Sequence, residues 1–197
     1  AVHHGTLETH ACIAEVDAMG RLTVHTTSQD IFSLRQNLSR IFSLPMSRVR
    51  VTVPAMGGSF GSRVDMILEP VVAALALHAG RPVKLAYNRR EEMLATRTRH
   101  AMKIRMRTGA LRDGTIVAED MTVFCAAGGY AGGTCNIVWS MCSKFFKVHT
   151  CRNLRFTGYP VLTNTPVGGP MRGFGSPQIF FAQERQMNQL ALALRLD

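Results

Sequence analysis

The sequence predicts an α+β fold in which mixed β-sheets are flanked by helices. Two observations support this fold class. Runs that alternate apolar and polar residues are joined in pairs by turn signals, which is typical of β-hairpins. Other strand-like runs lead into patterns with helical periodicity, which is typical of strand–helix units. Because both kinds of unit occur within 197 residues, we expect mixed sheets in one α+β domain that covers residues 1–197.

The first half of the chain begins with a predicted hairpin. Residues 9–16 alternate apolar and polar side chains, residues 17–20 form a turn, and residues 21–27 alternate again. Asp30 can then cap a helix that ends at Phe42.

A strand, a glycine-rich turn and a second helix follow. β-branched residues dominate the strand at 49–53, and residues 66–78 have a helical pattern that stops at Gly80. Glycine can adopt the left-handed conformation that ends many helices. Residues 83–87 are then expected to form a short strand.

The second half is predicted to contain a long hairpin and a long C-terminal helix. The hairpin strands cover residues 99–108 and 115–125, and the turn between them contains Asp-Gly, a strong hairpin signal. The remaining elements are a glycine-rich loop at 128–133, a short helix at 139–147, a strand at 154–159 and an amphipathic helix at 178–194.

The chain is strongly basic, with a formal net charge of +10 at pH 7. Many of the cations lie within residues 89–107, where some alternate along a predicted strand. No pattern of a nucleic-acid-binding fold accompanies them, and alternating charges are typical of the solvated face of a strand. We therefore expect no nucleic-acid partner, and an anionic cofactor or an acidic partner subunit explains the charge better.

The five cysteines have irregular spacing and form no Cys-x-x-Cys pair. This pattern disfavours an iron–sulfur cluster or a structural zinc site held by this chain alone. We expect reduced, mostly buried thiols in a cytoplasmic compartment. The longest apolar helical candidate is too short to span a membrane. The first residues, which include His3 and His4, lack the layout of a signal peptide and are expected to be a frayed end.

Two glycine-rich turns are the most informative feature of the chain. Residues 57–63 read Gly-Gly-Ser-Phe-Gly-Ser-Arg, and residues 172–178 read Arg-Gly-Phe-Gly-Ser-Pro-Gln. Each turn is expected to precede a helix, and glycine lets a ligand approach the backbone N–H groups there. Each turn alone is also compatible with a plain connection between elements. Together they suggest two walls of one binding site.

These motifs, with others in the same order, make the chain resemble the molybdenum-cofactor-binding subunits of the xanthine dehydrogenase/aldehyde oxidase family, the molybdenum hydroxylases. The other landmarks are Leu-Glu at 7–8, Asp-x-x-Gly-Arg-Leu-Thr-Val at 17–24, Thr-Ser-Gln at 27–29, Pro-Val-Lys-Leu at 82–85, Arg-His at 99–100 and Asp-Gly at 113–114. The resemblance covers nearly the whole chain and implies the fold of the family's first cofactor-binding domain.

The resemblance implies roles for residues in and near both turns. Gln29 matches the glutamine whose side-chain amide faces the molybdenum oxo group, so it is the candidate catalytic residue. Phe174 matches an aromatic residue that packs on a flat substrate ring, and Val64 is the second candidate substrate contact. The residues expected to bind the cofactor, largely through their backbone, are Gly57, Gly58, Phe60, Gly61 and Arg172. No side chain is expected to ligate molybdenum directly, because the pterin holds it. Without the resemblance, Gln29 also fits a helix-capping residue and Phe174 a core residue.

Two positions depart from specialised members of the family. Members that act on xanthine have a glutamate where this chain has Val64, so xanthine is not the expected substrate. Carbon monoxide dehydrogenases have a copper-binding cysteine where this chain has Gly173, which disfavours that chemistry.

The resemblance implies that this chain is one part of a larger enzyme. The implied reaction hydroxylates a carbon of an N-heterocycle or an aldehyde with oxygen from water. The implied cofactor is molybdenum-molybdopterin, whose dinucleotide form is left open. The expected partners are a further molybdopterin-binding domain with the general-base glutamate, an iron–sulfur subunit and, as a further candidate, a flavin subunit with FAD. The alternative is a non-catalytic, truncated paralogue that acts as an assembly scaffold without cofactor.

Overall fold

The computed structural model of the protein describes residues 2–196, which form two compact units. The N-terminal unit is Val2–Arg97, and the C-terminal unit begins at Thr98. Each unit has its own sheet and its own hydrophobic core. The prediction that residues 1–197 form a single domain stays a prediction.

The N-terminal unit contains a four-stranded mixed sheet. Its strands are β1 (Ala11–Val16), β2 (Leu22–Thr26), β3 (Val49–Thr52) and β4 (Val83–Ala86). Their order in the sheet is β3-β2-β1-β4. β1 pairs antiparallel with both β2 and β4, whereas β2 pairs parallel with β3. The predicted hairpin and the predicted mixed sheet are therefore both present.

Three α-helices and a short 3₁₀ turn accompany this sheet. They are α1 (Ile31–Ile41), the 3₁₀ turn Met46–Arg48, α2 (Glu69–Ala79) and α3 (Arg89–Ala95). The Asp30 carboxylate caps α1 by accepting the Ser33 N–H at 3.0 Å. Gly80 ends α2 with a left-handed φ of 61°, and its N–H donates to the Ala76 carbonyl at 3.0 Å.

The core of the N-terminal unit lies between its sheet and its helices. One face of the β1–β2 hairpin and one face of α1 and α2 supply small and aliphatic side chains. Burial of these side chains away from water stabilises the unit. The fully buried members are Cys12, Ala14, Leu22, Val24, Leu34, Leu38, Val49, Leu68, Val72, Ala73 and Ala76.

The C-terminal unit contains a three-stranded mixed sheet and two helices. Its elements are β5 (Met102–Ala110), β6 (Ile116–Gly128), α4 (Thr134–Phe145), β7 (Leu154–Leu162) and α5 (Ser176–Leu194). β6 is central, antiparallel to β5 and parallel to β7. The buried core residues of this unit are Met121, Val123, Cys125, Ile137, Val138, Met141, Phe145 and Ile179.

The structure differs from the sequence prediction at three places. Helix α3 is absent from the prediction, although Asn88 and Glu91 form a capping box at its start. Helix α4 begins at Thr134 rather than at residue 139. The predicted frayed end at His3 and His4 is wrong: His4 is buried, and His3 Nε2 lies 2.8 Å from the Thr96 hydroxyl.

The thiols are also less buried than predicted. Cys12 and Cys125 are buried, but Cys142 and Cys151 are half-buried and Cys135 is exposed. All five are free thiols. No helix in residues 2–196 is both long and apolar enough to cross a membrane.

Candidate functional site

The first glycine turn lies in the N-terminal unit, between β3 and α2. Phe60 and Gly61 both have positive φ, 55° and 105°. Ser62 closes the turn by donating its N–H at 3.1 Å and its hydroxyl at 2.9 Å to the Ser59 carbonyl. Positive φ at two central residues with this hydrogen bond matches a type I′ turn. A phenylalanine in this conformation is strained, and such strain is concentrated at functional sites.

The second glycine turn lies in the C-terminal unit, directly before α5, and has the same geometry. Phe174 and Gly175 have φ of 46° and 91°. Ser176 donates its N–H at 2.9 Å and its hydroxyl at 2.6 Å to the Gly173 carbonyl. The Phe-Gly-Ser repeat in the sequence is therefore a repeat of one backbone structure. Because the turns lie in different units, the prediction that they form walls of one site stays a prediction.

Gln29 lies between β2 and α1, and its side chain reaches the first turn. Its Oε1 accepts hydrogen bonds from the Ser59 hydroxyl and from the Gly61 N–H, the latter at 3.0 Å. A backbone N–H can only donate, so the carboxamide oxygen must face the turn. Nε2 then faces away from it. Gln29 is exposed, and Nε2 has no acceptor among residues 2–196.

Arg63 anchors the first turn from inside the protein. Its side chain is only 1% exposed. Its Nε donates to the Gly58 carbonyl at 3.0 Å, and its terminal nitrogens donate to the Glu8 carbonyl at 2.7 Å, to the Thr9 carbonyl at 3.2 Å and to the Thr27 hydroxyl. Burial lowers the pKa of the guanidinium, which the nearby carboxylates oppose. The turn is thus tied to the residues that precede β1 and to the residue that follows β2.

Glu8 secures the start of the turn. Its carboxylate accepts the Gly57 N–H at 2.8 Å and lies 3.7 Å from the Arg63 guanidinium. A Cβ at position 57 would come within 2.6 Å of the Glu8 Cβ, so only glycine fits this close approach. Gly57 is therefore held by packing against Glu8 and by the Glu8 carboxylate, and its N–H is not available to bind a ligand.

A buried pair of a histidine and a carboxylate supports the same turn. The Glu92 carboxylate accepts the backbone N–H of His10 at 2.8 Å and lies 2.8 Å from the His10 Nδ1. The other ring nitrogen of His10 lies 3.3 Å from the Ser62 carbonyl. Burial alone would raise the pKa of Glu92, but the hydrogen bonds from His10 and attraction to His10 and Arg63 lower it. Glu92 is therefore a carboxylate at neutral pH.

Three consecutive N–H groups of the first turn have no acceptor among residues 2–196. They belong to Gly58, Ser59 and Phe60, whereas the flanking N–H groups of Gly57 and Gly61 are bound to Glu8 and Gln29. Successive free N–H groups at a glycine turn favour an anionic or negatively polarised ligand. With the Gln29 amide, this donor set fits the oxygen-rich, anionic group that the family resemblance implies.

The second turn is held through its carbonyl groups. Arg99 donates to the Arg172 carbonyl at 2.9 Å, and Lys144 donates to the carbonyls of Gly173 and Phe174 at 3.1 and 3.3 Å. The Met171 carbonyl accepts the Phe174 N–H at 2.8 Å. Because the 171–172 peptide is trans, the Arg172 N–H points away from that bond. It has no acceptor among the residues that the structure describes.

The candidate substrate residues have different environments. Phe174 is half-buried and packs against the core of the C-terminal unit, so the core alternative describes part of its role. Val64, at the end of the first turn, is 38% exposed, and no carboxylate occupies its position. Tyr130, in the glycine-rich loop, is exposed.

The residues that hold the two turns were not predicted from the sequence. Arg63, Ser59 and Glu8 act around the first turn, and Arg99 and Lys144 act on the second. For Arg63, the available signal was its position directly after a glycine turn, because a turn that binds a ligand on one side can be held by hydrogen bonds on the other side. Glu8 and Lys144 are distant in sequence from the groups they bind, so only the fold reveals them.

Comparison with known proteins gives concordant results. The family model "Molybdopterin cofactor-binding domain" matches residues 1–197. The chain is 34% identical to a probable xanthine dehydrogenase subunit of Bacillus subtilis, over 98% of this chain and 26% of that protein. It is 32% identical to the "Nicotinate dehydrogenase large molybdopterin subunit" of Eubacterium barkeri, over 98% of this chain and 46% of that protein.

Solved structures agree with the sequence matches. The aldehyde oxidoreductase from Desulfovibrio gigas matches with a TM-score of 0.94 at 27% identity, over 100% of this chain and 22% of that one. A carbon monoxide dehydrogenase from Oligotropha carboxidovorans matches with a TM-score of 0.86 at 27% identity, over 100% of this chain and 25% of that one. The chain thus spans between about a fifth and a half of the length of these proteins. The α+β fold with mixed sheets is confirmed.

Proposed function

Because the chain belongs to the molybdopterin cofactor-binding domains of the xanthine dehydrogenase/aldehyde oxidase family, we propose that it supplies one wall of the molybdopterin and substrate site of a molybdenum hydroxylase. The reaction is hydroxylation of a carbon in an N-heterocycle or an aldehyde, with water as the oxygen source. When bound, the cofactor supplies two-electron redox chemistry. The residues of this chain bind it, orient it and shape the pocket for the substrate.

The orientation of Gln29 is the observation that carries this proposal. Its carboxamide oxygen is occupied by the Ser59 hydroxyl and the Gly61 N–H, so the Nε2 donor is exposed and directed away from the turn. A donor fixed in this way stabilises negative charge without having to reorganise. In our proposal, Gln29 donates to an oxygen ligand of the metal.

Backbone donors complete the proposed contacts. The free N–H groups of Gly58 and Phe60 in the first turn, and of Arg172 in the second, are proposed to bind anionic parts of the cofactor. Gly57 and Gly61 use their own N–H groups within the protein, so they are proposed to contribute through the shape of the turn, in which Gly57 makes room for the Glu8 side chain.

The substrate is proposed to be a flat, weakly polar ring. Phe174 offers an aromatic face, and Val64 offers an apolar side chain in place of an acid. A purine dione needs buried polar partners for its carbonyl groups, and an apolar pocket leaves them unpaired. Aromatic aldehydes and simple N-heterocycles fit this chemistry better than xanthine.

The remaining parts of the enzyme lie in other domains or subunits. We propose a further molybdopterin-binding domain with the general-base glutamate, an iron–sulfur subunit and a flavin subunit with FAD as partners. The cofactor is proposed to be molybdenum-molybdopterin in its mononucleotide or dinucleotide form. The free thiols suit a cytoplasmic enzyme.

The test is a substitution of Gln29 in the assembled enzyme. Gln29→Ala is expected to lower kcat by roughly tenfold to a thousandfold, the usual effect of losing one preorganised donor. Molybdenum content, measured by mass spectrometry, is expected to stay unchanged. Gln36→Ala is the matched control, because Gln36 is an exposed glutamine on α1. An unchanged kcat in Gln29→Ala would contradict the role of Gln29.

The scaffold alternative makes a different prediction. A truncated paralogue without cofactor assembles with its partners but holds no molybdenum. Metal analysis of the purified wild-type assembly distinguishes the two, because the hydroxylase requires about one molybdenum per active site.

A further inference from the structure

We propose that Ser59 is a positioning residue that fixes the orientation of the Gln29 carboxamide. The inference rests on the proposed function, because it concerns the donor that Gln29 presents to the cofactor. Ser59 itself is buried, and its hydrogen bond to Gln29 is made to Oε1 and not to Nε2.

The Ser59 hydroxyl has one proton, and its surroundings direct that proton to Gln29. The Ser59 Oγ accepts the Arg63 N–H at 3.3 Å. With that lone pair occupied, the hydroxyl hydrogen is donated to the Gln29 Oε1. Arg63 is itself buried and fixed by its own hydrogen bonds, so the hydroxyl has a defined direction.

Two donors on one oxygen fix the carboxamide more strongly than one. The Gly61 N–H reaches the Gln29 Oε1 at 3.0 Å, and the Ser59 hydroxyl reaches the same atom. A flipped carboxamide would place its own NH₂ group against both donors, which leaves them without an acceptor. With Gly61 alone, the terminal torsion of the glutamine is a broad, soft rotation. Ser59 is the group that narrows it.

The backbone turn does not depend on the Ser59 hydroxyl. Ser62 closes the turn onto the Ser59 carbonyl, which an alanine at position 59 retains. Ser59→Ala therefore removes the hydroxyl that holds Gln29, together with the acceptor of the Arg63 N–H, and keeps the two hydrogen bonds from Ser62 that close the turn. Ser62→Ala is the control for general loosening of the turn, because it removes one of the two hydrogen bonds that close the turn, keeps the one from the Ser62 N–H, and leaves the Ser59 hydroxyl on Gln29.

The first measurement concerns the 197-residue chain alone and needs no activity. The ¹⁵N relaxation of the Gln29 side-chain NH₂ reports its motion on the picosecond to nanosecond timescale. In the wild-type chain we expect an order parameter near that of rigid backbone, about 0.85, which falls below about 0.6 in Ser59→Ala. Ser59→Thr is expected to restore it, and Ser62→Ala to leave it unchanged. A Gln29 amide that is mobile in the wild type, or unaffected by Ser59→Ala, would overturn the proposal.

The second measurement is a double-mutant cycle in the assembled enzyme. Ser59→Ala alone is expected to lower kcat by about tenfold to a hundredfold, because a misplaced donor loses most of its effect. In the Gln29→Ala background it is expected to change kcat by less than about twofold, since the group it positions is gone. An equal loss in both backgrounds would overturn the positioning role.

The two proposals fail in different ways. If Gln29→Ala lowers kcat and Ser59→Ala does not, the positioning role is wrong and the proposed function stands. If Gln29→Ala leaves kcat unchanged, the proposed role of Gln29 is wrong, and the catalytic consequence of Ser59 is overturned with it. Ser39→Ala, which removes a hydroxyl bound to the Leu44 carbonyl at the end of α1, controls for unspecific loss of activity.

Discussion

Removal of the Arg63 guanidinium is expected to destabilise the N-terminal unit strongly. Arg63→Met keeps much of the side-chain volume but leaves the carbonyls of Gly58, Glu8 and Thr9 without their donor. Each buried acceptor that loses its partner costs about 1–3 kcal/mol, and some of these groups can reach water after local relaxation. Loss of the Glu8–Arg63 ion pair adds less than the loss of a fully buried pair would, because the Glu8 side chain is 35% exposed.

From the three carbonyl groups we expect a loss of about 3–5 kcal/mol in the free energy of unfolding, because local relaxation reduces the separate terms and they are not additive. This is a large part of the about 5–15 kcal/mol that stabilises an ordinary domain. Arg63→Lys keeps the charge but has fewer donors and no planar fork, so it is expected to recover only part of the loss.

Two probes separate the effect on the N-terminal unit from the rest of the chain. Hydrogen exchange at the Gln29 backbone N–H, which donates to the Arg63 carbonyl at 2.9 Å, reports on the first turn. Fluorescence of Trp139, the single tryptophan, reports on the C-terminal unit during urea unfolding. Arg50→Met is the control, because Arg50 is exposed on β3 and its loss is expected to cost less than about 0.5 kcal/mol. Equal stability of Arg63→Met and Arg50→Met would contradict the anchoring role of Arg63.

Three further predictions follow from named groups. The pKa of Glu92 is lowered in the folded protein, so its charge stabilises the fold above pH about 4.3, and this contribution is lost as pH falls through the folded pKa. The difference in the free energy of unfolding between wild type and Glu92→Gln, measured by urea titration, should therefore shrink below about pH 4. A difference that does not depend on pH would contradict this prediction. Burial raises the pKa of Cys12 and Cys125 to about 12. Iodoacetamide at pH 7.5 should therefore label the exposed Cys135 and leave Cys12 and Cys125 unmodified, as detected by peptide mass spectrometry. Rapid labelling of Cys12 or Cys125 would contradict their burial in the core. Phe174→Ala should raise KM and lower kcat together for an aromatic aldehyde. The wild-type enzyme should prefer that aldehyde over xanthine by at least about a hundredfold in kcat/KM. If xanthine is the best substrate, an acid outside this chain replaces the missing glutamate.

Local signals predicted most of the secondary structure. The Asp30 cap, the Gly80 helix end and the Asp113-Gly114 turn each depend on a few neighbouring residues, and each is present in the structure. The N-terminus of α3 is equally local, with Asn88 and Glu91 as its capping box. The sequence prediction omits this helix because the adjacent arginines are interpreted there as a cluster of charge.

Strand order was not predictable from the same signals. The parallel pairs β2–β3 and β6–β7 join segments separated by a helix or a long loop, and alternation of side chains does not specify the neighbour of a strand. The burial of His4 also depends on tertiary packing, because nothing in the local sequence distinguishes it from a mobile end.

The two similar backbone turns of the candidate site were predictable from the sequence, whereas the side chains that hold these turns were not. The Phe-Gly-Ser repeat indicated two similar turns, and the positive φ of Phe60 and Phe174 gives that repeat a physical meaning. The anchoring of the turns by Arg63 and Arg99 depends on hydrogen bonds to carbonyl groups up to 73 residues away in sequence. Such contacts carry no sequence periodicity, so they emerge only from the fold.

The most direct test of the central proposal is a crystal structure of the cofactor-loaded assembly that contains this chain. The distance to measure is the one between the Gln29 Nε2 and the nearest oxygen ligand of molybdenum. Our account predicts a hydrogen bond of about 3 Å, with the Gln29 Oε1 still bound to Ser59 and Gly61. A separation greater than about 5 Å, or a carboxamide turned so that its oxygen faces the metal, would contradict the account.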